Sequence, residues 1–387
     1  MLASNIRKFS APGRTELAGN HTDHNRGKVL AAAIQLENAA SVQQRDDNIV
    51  FFRSSGFSDV EINLVDSNGK PDLDPKPEET GKTEALIRGI AAELYKRGSK
   101  IGGFSANAVS TVLPGSGLSS SAALEVLIGR IFDCLYSDGK RSFLEIAQIG
   151  QIAENVYFGK PCGLMDQIAC ASGGAVAIDF ENAANPVVEQ IEFDLAAFGY
   201  ILCVVNTGGS HADLTADYAS IPAEMKSVAA FFGKSVLREL DKDTVMSRAA
   251  DIRKTLGDRA LLRSVHFFDE NERVDSMLSA IKCKKIDRYL ELVNESGDSS
   301  WKLLQNVYSP NNNAVQGITT ALMLTQDFSR KQKISNAFRV HGGGFAGTIQ
   351  VYMPKDAMRI YLQYIENVFG KGAVTELMIR QEGAVEF

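Results

Sequence analysis

Asp166 stands in the run Pro161-Cys-Gly-Leu-Met-Asp-Gln167, with Leu164, Met165, Ile168 and Ala169 around it. A carboxylate set among apolar residues is either an ion-paired structural group or a base. A base of this kind can orient, or accept the proton of, a hydroxyl beside a transferring phosphoryl group. Arg14 is a candidate partner. Its guanidinium would hold Asp166 ionised and offset charge on the phosphoryl group. Glu154, on a helical pattern that precedes Asp166, is a candidate Mg²⁺ ligand, although surface helices carry many glutamates.

A second chemical signal is Leu113-Pro-Gly-Ser-Gly-Leu-Ser-Ser-Ser-Ala-Ala-Leu-Glu125. A strand pattern runs in and a helix pattern runs out. Gly115 and Gly117 permit a tight turn and close approach of backbone to a ligand. Ser119, Ser120 and Ser121 fall where the first free amides of a helix point outward, a ready anion site. Their hydroxyls can bond phosphate, and one can reach Mg²⁺. The same residues also make an ordinary glycine turn with a serine N-cap. Two similar segments fail, one as a P-loop and the other as a dinucleotide fingerprint, the second fitting better as a glycine loop that packs close to another loop or to nucleotide phosphates. Gly81-Lys82-Thr83 lacks the earlier P-loop glycine, since position 76 is Lys76. Gly342-Gly-Gly-Phe-Ala-Gly347 fits G-x-G-x-x-G but is followed by the strand pattern Thr348–Met353 rather than a helix.

The stretch from Ala11 to Asn25 gathers Arg14, Asn20, His21, Asp23 and His24 ahead of the apolar run Val29–Ile34. Fixed donors and acceptors in such density suit a polyhydroxylated ligand. A solvated polar loop is the plain alternative. Two histidines around an aspartate could also hold a metal, but no further ligand completes a familiar spacing.

Elements must hold these groups together. Strand patterns fall at Ile49–Phe52, Val60–Leu64, Phe104–Val112, Ala175–Phe180, Ile201–Val205, Gly347–Met353 and Val374–Arg380. Helical spacing falls at Glu84–Lys96, Ser119–Leu135, Phe143–Phe158 and Ala357–Phe369, and most of the chain from Ala212 to Leu324 is helical. Asp66–Lys82, with three prolines, is an exposed loop. A chain of 387 residues suggests two domains, divided near residue 195 into 1–195 and 196–387. The formal charge of −6 argues against nucleic-acid binding. The five cysteines form no CxxC pair, which fits buried free thiols in a reducing cytoplasm. The N-terminus lacks a signal-peptide core, and no apolar run of about 18 residues suggests a membrane span.

Three segments in order resemble the galactokinase branch of the superfamily that includes homoserine, mevalonate and phosphomevalonate kinases. Pro12–His24 resembles the galactokinase signature, Gly115–Glu125 the phosphate loop, and His341–Gly347 the glycine loop of the C-terminal domain. The resemblance covers nearly the whole chain. It implies an α+β fold of two domains, an N-terminal one like ribosomal protein S5 domain 2 and a ferredoxin-like C-terminal one, with the active site between them. It implies catalytic roles for Asp166 and Arg14. Asn20, His21, Asp23, Gly163 and Tyr218 would contact sugar. Gly115, Gly117, Ser119 and Ser120 would contact ATP, and Ser121 and Glu154 would hold Mg²⁺.

The chain departs from the family in three places. Asn20 replaces a glutamate, Ala219–Met225 replaces an arginine-rich run, and Thr83 stands where a tryptophan is expected near adenine. The expectation is a cytoplasmic, monomeric kinase that uses ATP and Mg²⁺ to phosphorylate the anomeric hydroxyl of galactose. The alternatives are a kinase for galacturonate, arabinose or N-acetylgalactosamine, with Arg26 and Lys28 favouring an acidic sugar, or a sugar sensor without turnover.

Overall fold

The structure is a computed structural model that describes residues 6–112, 115–209 and 214–387. Leu113 and Pro114 of the glycine-serine segment lie outside these residues, as do Ser210 and His211 of the run before Tyr218 and Ala212, where the helical region was expected to begin.

The chain opens with two long strands, β1 (Arg7–Ala18) and β2 (Lys28–Gln44), then β3 (Ile49–Ser54) and β4 (Val60–Asn63). α1 (Thr83–Lys96), β5 (Phe104–Ser110), α2 (Ser120–Tyr136), α3 (Phe143–Ile152) and α4 (Met165–Ser172) follow. β6 (Ala175–Asp179) and β7 (Val187–Ile191) complete this half. Then come β8 (Tyr200–Asn206) and the helices α5 (Thr215–Phe231), α6 (Lys242–Ser247), α7 (Ala249–Leu256), α8 (Asp258–Lys282), α9 (Ile286–Ser299) and α10 (Gly317–Gln332). β9 (Ala337–Val340), β10 (Thr348–Pro354), α11 (Lys355–Phe369), β11 (Val374–Leu377) and β12 (Val385–Glu386) end the chain.

Two sheets result. The larger runs β12-β1-β2-β5-β3-β4, and β6 also pairs with β2 and carries β7. One side of β2 is shared: its first residues pair with β6 and its last with β5. The smaller sheet is β11-β8-β10-β9, antiparallel throughout. Between its strands the helices give the order β8, α5–α10, β9, β10, α11, β11.

The apolar run at 29–34 is explained by burial of β2 on both faces. Val29 and Ala31 join the core under α1–α4, whereas Leu30, Ala32 and Ile34 face a second core shared with β8, β10, α8 and α9. That second core continues from one sheet to the other, so the cleft between them has a packed floor.

Sequence expectation and structure differ in several places, and β1, β2, β7, β9 and β12 were not among the expected strands. No strand was expected over Arg7–Ala18, because two register irregularities, between Pro12 and Arg14 and between Glu16 and Ala18, break the alternation. The helix expected at Phe143–Phe158 is α-helical only to Ile152 and continues as a π turn over Ala153–Phe158. The strands expected to reach Val112 and Arg380 stop at Ser110 and Leu377. The cysteines are free thiols, but only Cys170 and Cys203 are buried and Cys283 is exposed.

Candidate active site

Arg14 is on β1, next to β2 near one edge of the large sheet, and it lines the cavity in the cleft. It is buried and meets Asp166 in a two-pronged ion pair, Nε donating to Oδ1 and Nη2 to Oδ2, both at 2.7 Å. Asp166 lies in the first turn of α4, where the helix dipole favours an anion. Burial alone would raise its pKa. The charge and hydrogen bonds of Arg14, with a further bond from the Ser119 hydroxyl, outweigh burial and hold the carboxyl below its ordinary value. Burial likewise works against the Arg14 charge, and Asp166 restores it and raises the guanidinium pKa.

The phosphate-loop segment is tied to the same arginine. Arg14 Nη1 donates to the Gly117 carbonyl, and the Arg14 amide donates to Leu118 O at 3.0 Å. Ser119 takes a left-handed backbone (φ 58) just before α2, which turns its hydroxyl onto Asp166. Ser121, on the first turn of α2, places Oγ 3.4 Å from Glu154 Oε1 on the π turn. Gln167, next to Asp166, donates from Nε2 to Glu154 Oε2 at 3.1 Å and to Glu125 Oε2 at 2.9 Å. Burial, with the charge of Glu154 beside it, drives the Glu125 pKa well above the ordinary carboxylate value.

The polar N-terminal cluster lines the other end. A cavity of about 140 Å³ is bounded by Arg14, Asn20, His21, Asp23, His24, Cys162, Gly163, Asp166 and the turn Gly342–Gly343, among others. Asp23 approaches Gly163 so closely that a Cβ there would lie 2.1 Å from Asp23 Oδ2. His21 Nε2 lies 2.9 Å from the Gly343 carbonyl, so this nitrogen donates and Nδ1 is left as an acceptor. Burial, reinforced by neighbouring His24, lowers its pKa to about 3 and keeps the ring neutral.

Asn20 bounds the cavity but is 0% exposed, and its amide is engaged within the protein. Nδ2 donates to Glu16 Oε1 (3.1 Å) and Gly342 O (2.6 Å), and Oδ1 accepts from Asn306 Nδ2 (2.8 Å). Tyr218 is not among the lining residues. Its hydroxyl donates to Gly344 O at 3.0 Å and its ring packs edge-on against Phe345, so it braces the glycine loop. Lys28 forms an ion pair with Asp275 at 2.6 Å, and neither it nor Arg26 lines the cavity. The basic wall that would suit an acidic sugar is therefore not formed by these two residues.

The glycine loop reaches the phosphate loop through His341. Gln350 Nε2 donates to Thr15 Oγ1 (2.8 Å), Thr15 Oγ1 lies 3.0 Å from His341 Nε2, His341 Nδ1 lies 3.1 Å from Thr348 Oγ1, and Thr348 donates to Ser116 O (3.1 Å). The carbonyl at the end can only accept, which fixes every proton along the chain. Nδ1 carries the hydrogen and Nε2 accepts from Thr15. Burial, with the charges of Arg14 and Arg339, pushes the His341 pKa well below the ordinary histidine value, as a neutral ring requires. Sequence reasoning singled out neither this relay nor Gln167, Glu125 and Lys160. Glu125 was legible in principle, being one helical turn beyond Ser121. The partners of His341 lie on separate strands and gave no local signal.

Two sheets around a cleft, a serine-rich helix start and a half-buried Arg–Asp pair define a kinase of the GHMP class. Residues 85–174 match the family described as GHMP kinases N terminal domain, and residues 4–44 match the galactokinase galactose-binding signature. The chain is 32% identical over 369 residues to a Streptomyces coelicolor galactokinase, covering 93% of this chain and 88% of that protein. It is 30% identical over 371 residues to one from Glaesserella parasuis, with the same coverage. In structure it resembles Lactococcus lactis galactokinase complexed with galactose (TM-score 0.79, 24% identity, 99% and 95% of the two chains). It also resembles Methanococcus jannaschii mevalonate kinase (TM-score 0.67, 14% identity, 97% and 98%). The chain belongs to the galactokinase family.

Proposed function

We propose that the protein is an ATP-dependent sugar kinase that phosphorylates the anomeric hydroxyl of galactose. The observation that carries this reading is the Arg14–Asp166 pair, held between the polar cavity and the serine-rich start of α2. Asp166 is ionised and receives or orients the proton of the attacking hydroxyl. Arg14 fixes its position and offsets charge on the phosphoryl group. Sugar would occupy the cavity against His21, Asp23 and Gly163, with Asn20 in its wall and Tyr218 bracing the glycine loop behind it. Gly115, Gly117, Ser119 and Ser120 would receive the nucleotide phosphates. Positioning and electrostatics would supply most of the acceleration.

Ser121 and Glu154 would hold Mg²⁺, which neutralises charge on the β- and γ-phosphates when bound. The residues fit a hard cation. Glu154 is 3% exposed, it adjoins the Ser121 hydroxyl, and the buried Glu125 beside it has an oxygen, Oε1, without a partner. We also propose two domains meeting near residue 195, the first like ribosomal protein S5 domain 2 and the second ferredoxin-like, with β12 returning to the first sheet. The β-α-β-β-α-β succession and the strand order β11-β8-β10-β9 support the second assignment.

The test is ADP release with ATP and Mg²⁺ across galactose, galacturonate, arabinose and N-acetylgalactosamine. Galactose should give the highest kcat/KM. Turnover confined to another sugar would overturn the substrate assignment, and binding of sugar and ATP without ADP would overturn the kinase.

A further inference from the structure

Lys160 is drawn onto the candidate cation site by two separate bonds. Its backbone amide donates to Glu154 O at 3.1 Å, and its ammonium donates to Glu154 Oε1 at 2.9 Å. The π turn Ala153–Phe158 and the left-handed Gly159 (φ 84) bring the two residues together, where a continuous α-helix would have carried Lys160 further on. The ammonium is thus bonded to the same carboxylate oxygen that Ser121 approaches. Around it are Glu154, the buried Glu125 and the Gln167 amide that joins them. The Lys160 side chain is 61% exposed, so its ammonium reaches Glu154 from the solvent side, and Gln167, which also bonds Glu154, is next to Asp166 in the chain. Without a divalent cation, Lys160 supplies the positive charge this acidic pocket needs. A divalent cation bound at Glu154 would need the same oxygen.

We propose that Lys160 is a placeholder for the divalent cation: it occupies Glu154 in the nucleotide-free enzyme, gives it up when the cation loads, and then turns its ammonium to the terminal phosphate beside Asp166. An ammonium on a flexible four-carbon stem is suited to such an exchange, because it makes point-charge contacts without a fixed fork geometry. This rests on the kinase reading for the phosphate contact, whereas the competition for Glu154 does not.

The test is Mn²⁺ binding followed by electron paramagnetic resonance without nucleotide or sugar, on the intact protein, Lys160→Met and Glu154→Gln. Lys160→Met should tighten Mn²⁺ binding at least about fivefold, and Glu154→Gln should abolish it. With ATP, galactose and Mg²⁺, Lys160→Met should lower kcat at least about tenfold, with the melting temperature measured in saturating Mg²⁺ unchanged. Equal Mn²⁺ affinity in the intact protein and Lys160→Met would overturn the placeholder. Tighter Mn²⁺ binding with unchanged kcat would overturn the phosphate contact. Inactivity of the intact protein on every sugar would defeat the kinase reading and leave the Mn²⁺ comparison standing.

Discussion

In the variant Asn20→Glu, a second carboxylate would enter a space already occupied by Glu16. The Asn20 amide donates to Glu16 Oε1 and to Gly342 O, and a glutamate offers neither hydrogen. Burial already raises the Glu16 pKa, and Arg339, whose Nη2 lies 3.0 Å from Glu16 Oε1, offsets that only in part. One guanidinium would then face two buried acids. Each buried acceptor left without its donor costs about 1–3 kcal/mol, and an uncompensated buried charge about 3–5 kcal/mol. A loss on the order of 3–5 kcal/mol follows, or a fall in Tm of roughly 10 °C for a domain of this size. Differential scanning calorimetry would measure it. The double variant Glu16→Asn with Asn20→Glu keeps one acid and one amide in the same space, so it should recover at least half of the fall. The reasoning is refuted if Asn20→Glu keeps the parental Tm and binds galactose more tightly, since the side chain would then point into the cavity rather than into the network.

Three further outcomes are expected. His341→Phe keeps bulk but breaks the relay to Ser116, so KM for ATP should rise roughly tenfold, equivalent to ~1.4 kcal/mol, with KM for galactose little changed. A matching rise in both constants would mean the relay does not act on the phosphate loop selectively. His21, with a folded pKa of about 3 against an ordinary value of 6.5, contributes stability that is complete above 6.5 and lost as pH falls towards 3. His21→Asn should therefore flatten the acid side of a Tm–pH profile between those values, and an unaltered profile would show that the ring titrates alike in the folded and unfolded chain. Glu125 has the opposite sign, because its folded pKa is raised. Its stability contribution is complete below 4.5 and falls as pH rises, so Glu125→Gln should raise Tm at neutral pH and make no difference below pH 4.5.

Local patterns made much of the fold legible. Helices α1, α2 and α11 and strands β3, β6, β8 and β10 lie close to where apolar periodicity placed them. The strand β1 was hidden, because its polar residues are buried through partners far away in sequence. Arg14 meets Asp166, Thr15 meets His341, and Glu16 meets Arg339. Taken alone, such residues have the composition of a solvated loop. The Arg14–Asp166 pairing was legible as chemistry, since an isolated acid in apolar surroundings needs a cation. The Ser121–Glu154 approach was expected only through the family resemblance, since Glu154 lies on the π turn after α3 and not at a helix start. The engagement of Asn20 with Asn306 and Gly342 was not, because it depends on the second sheet closing over the first.

The Asp166→Asn variant tests the central claim most directly, because it keeps shape and a hydrogen bond while removing the charge that receives the proton. Its kcat should fall at least about 10²-fold in a protein that still folds and binds galactose and ATP, with a lowered Tm because buried Arg14 loses its counter-charge. Near-normal turnover by this variant would contradict the assignment of Asp166 as the base and, with it, the proposed chemistry of the site.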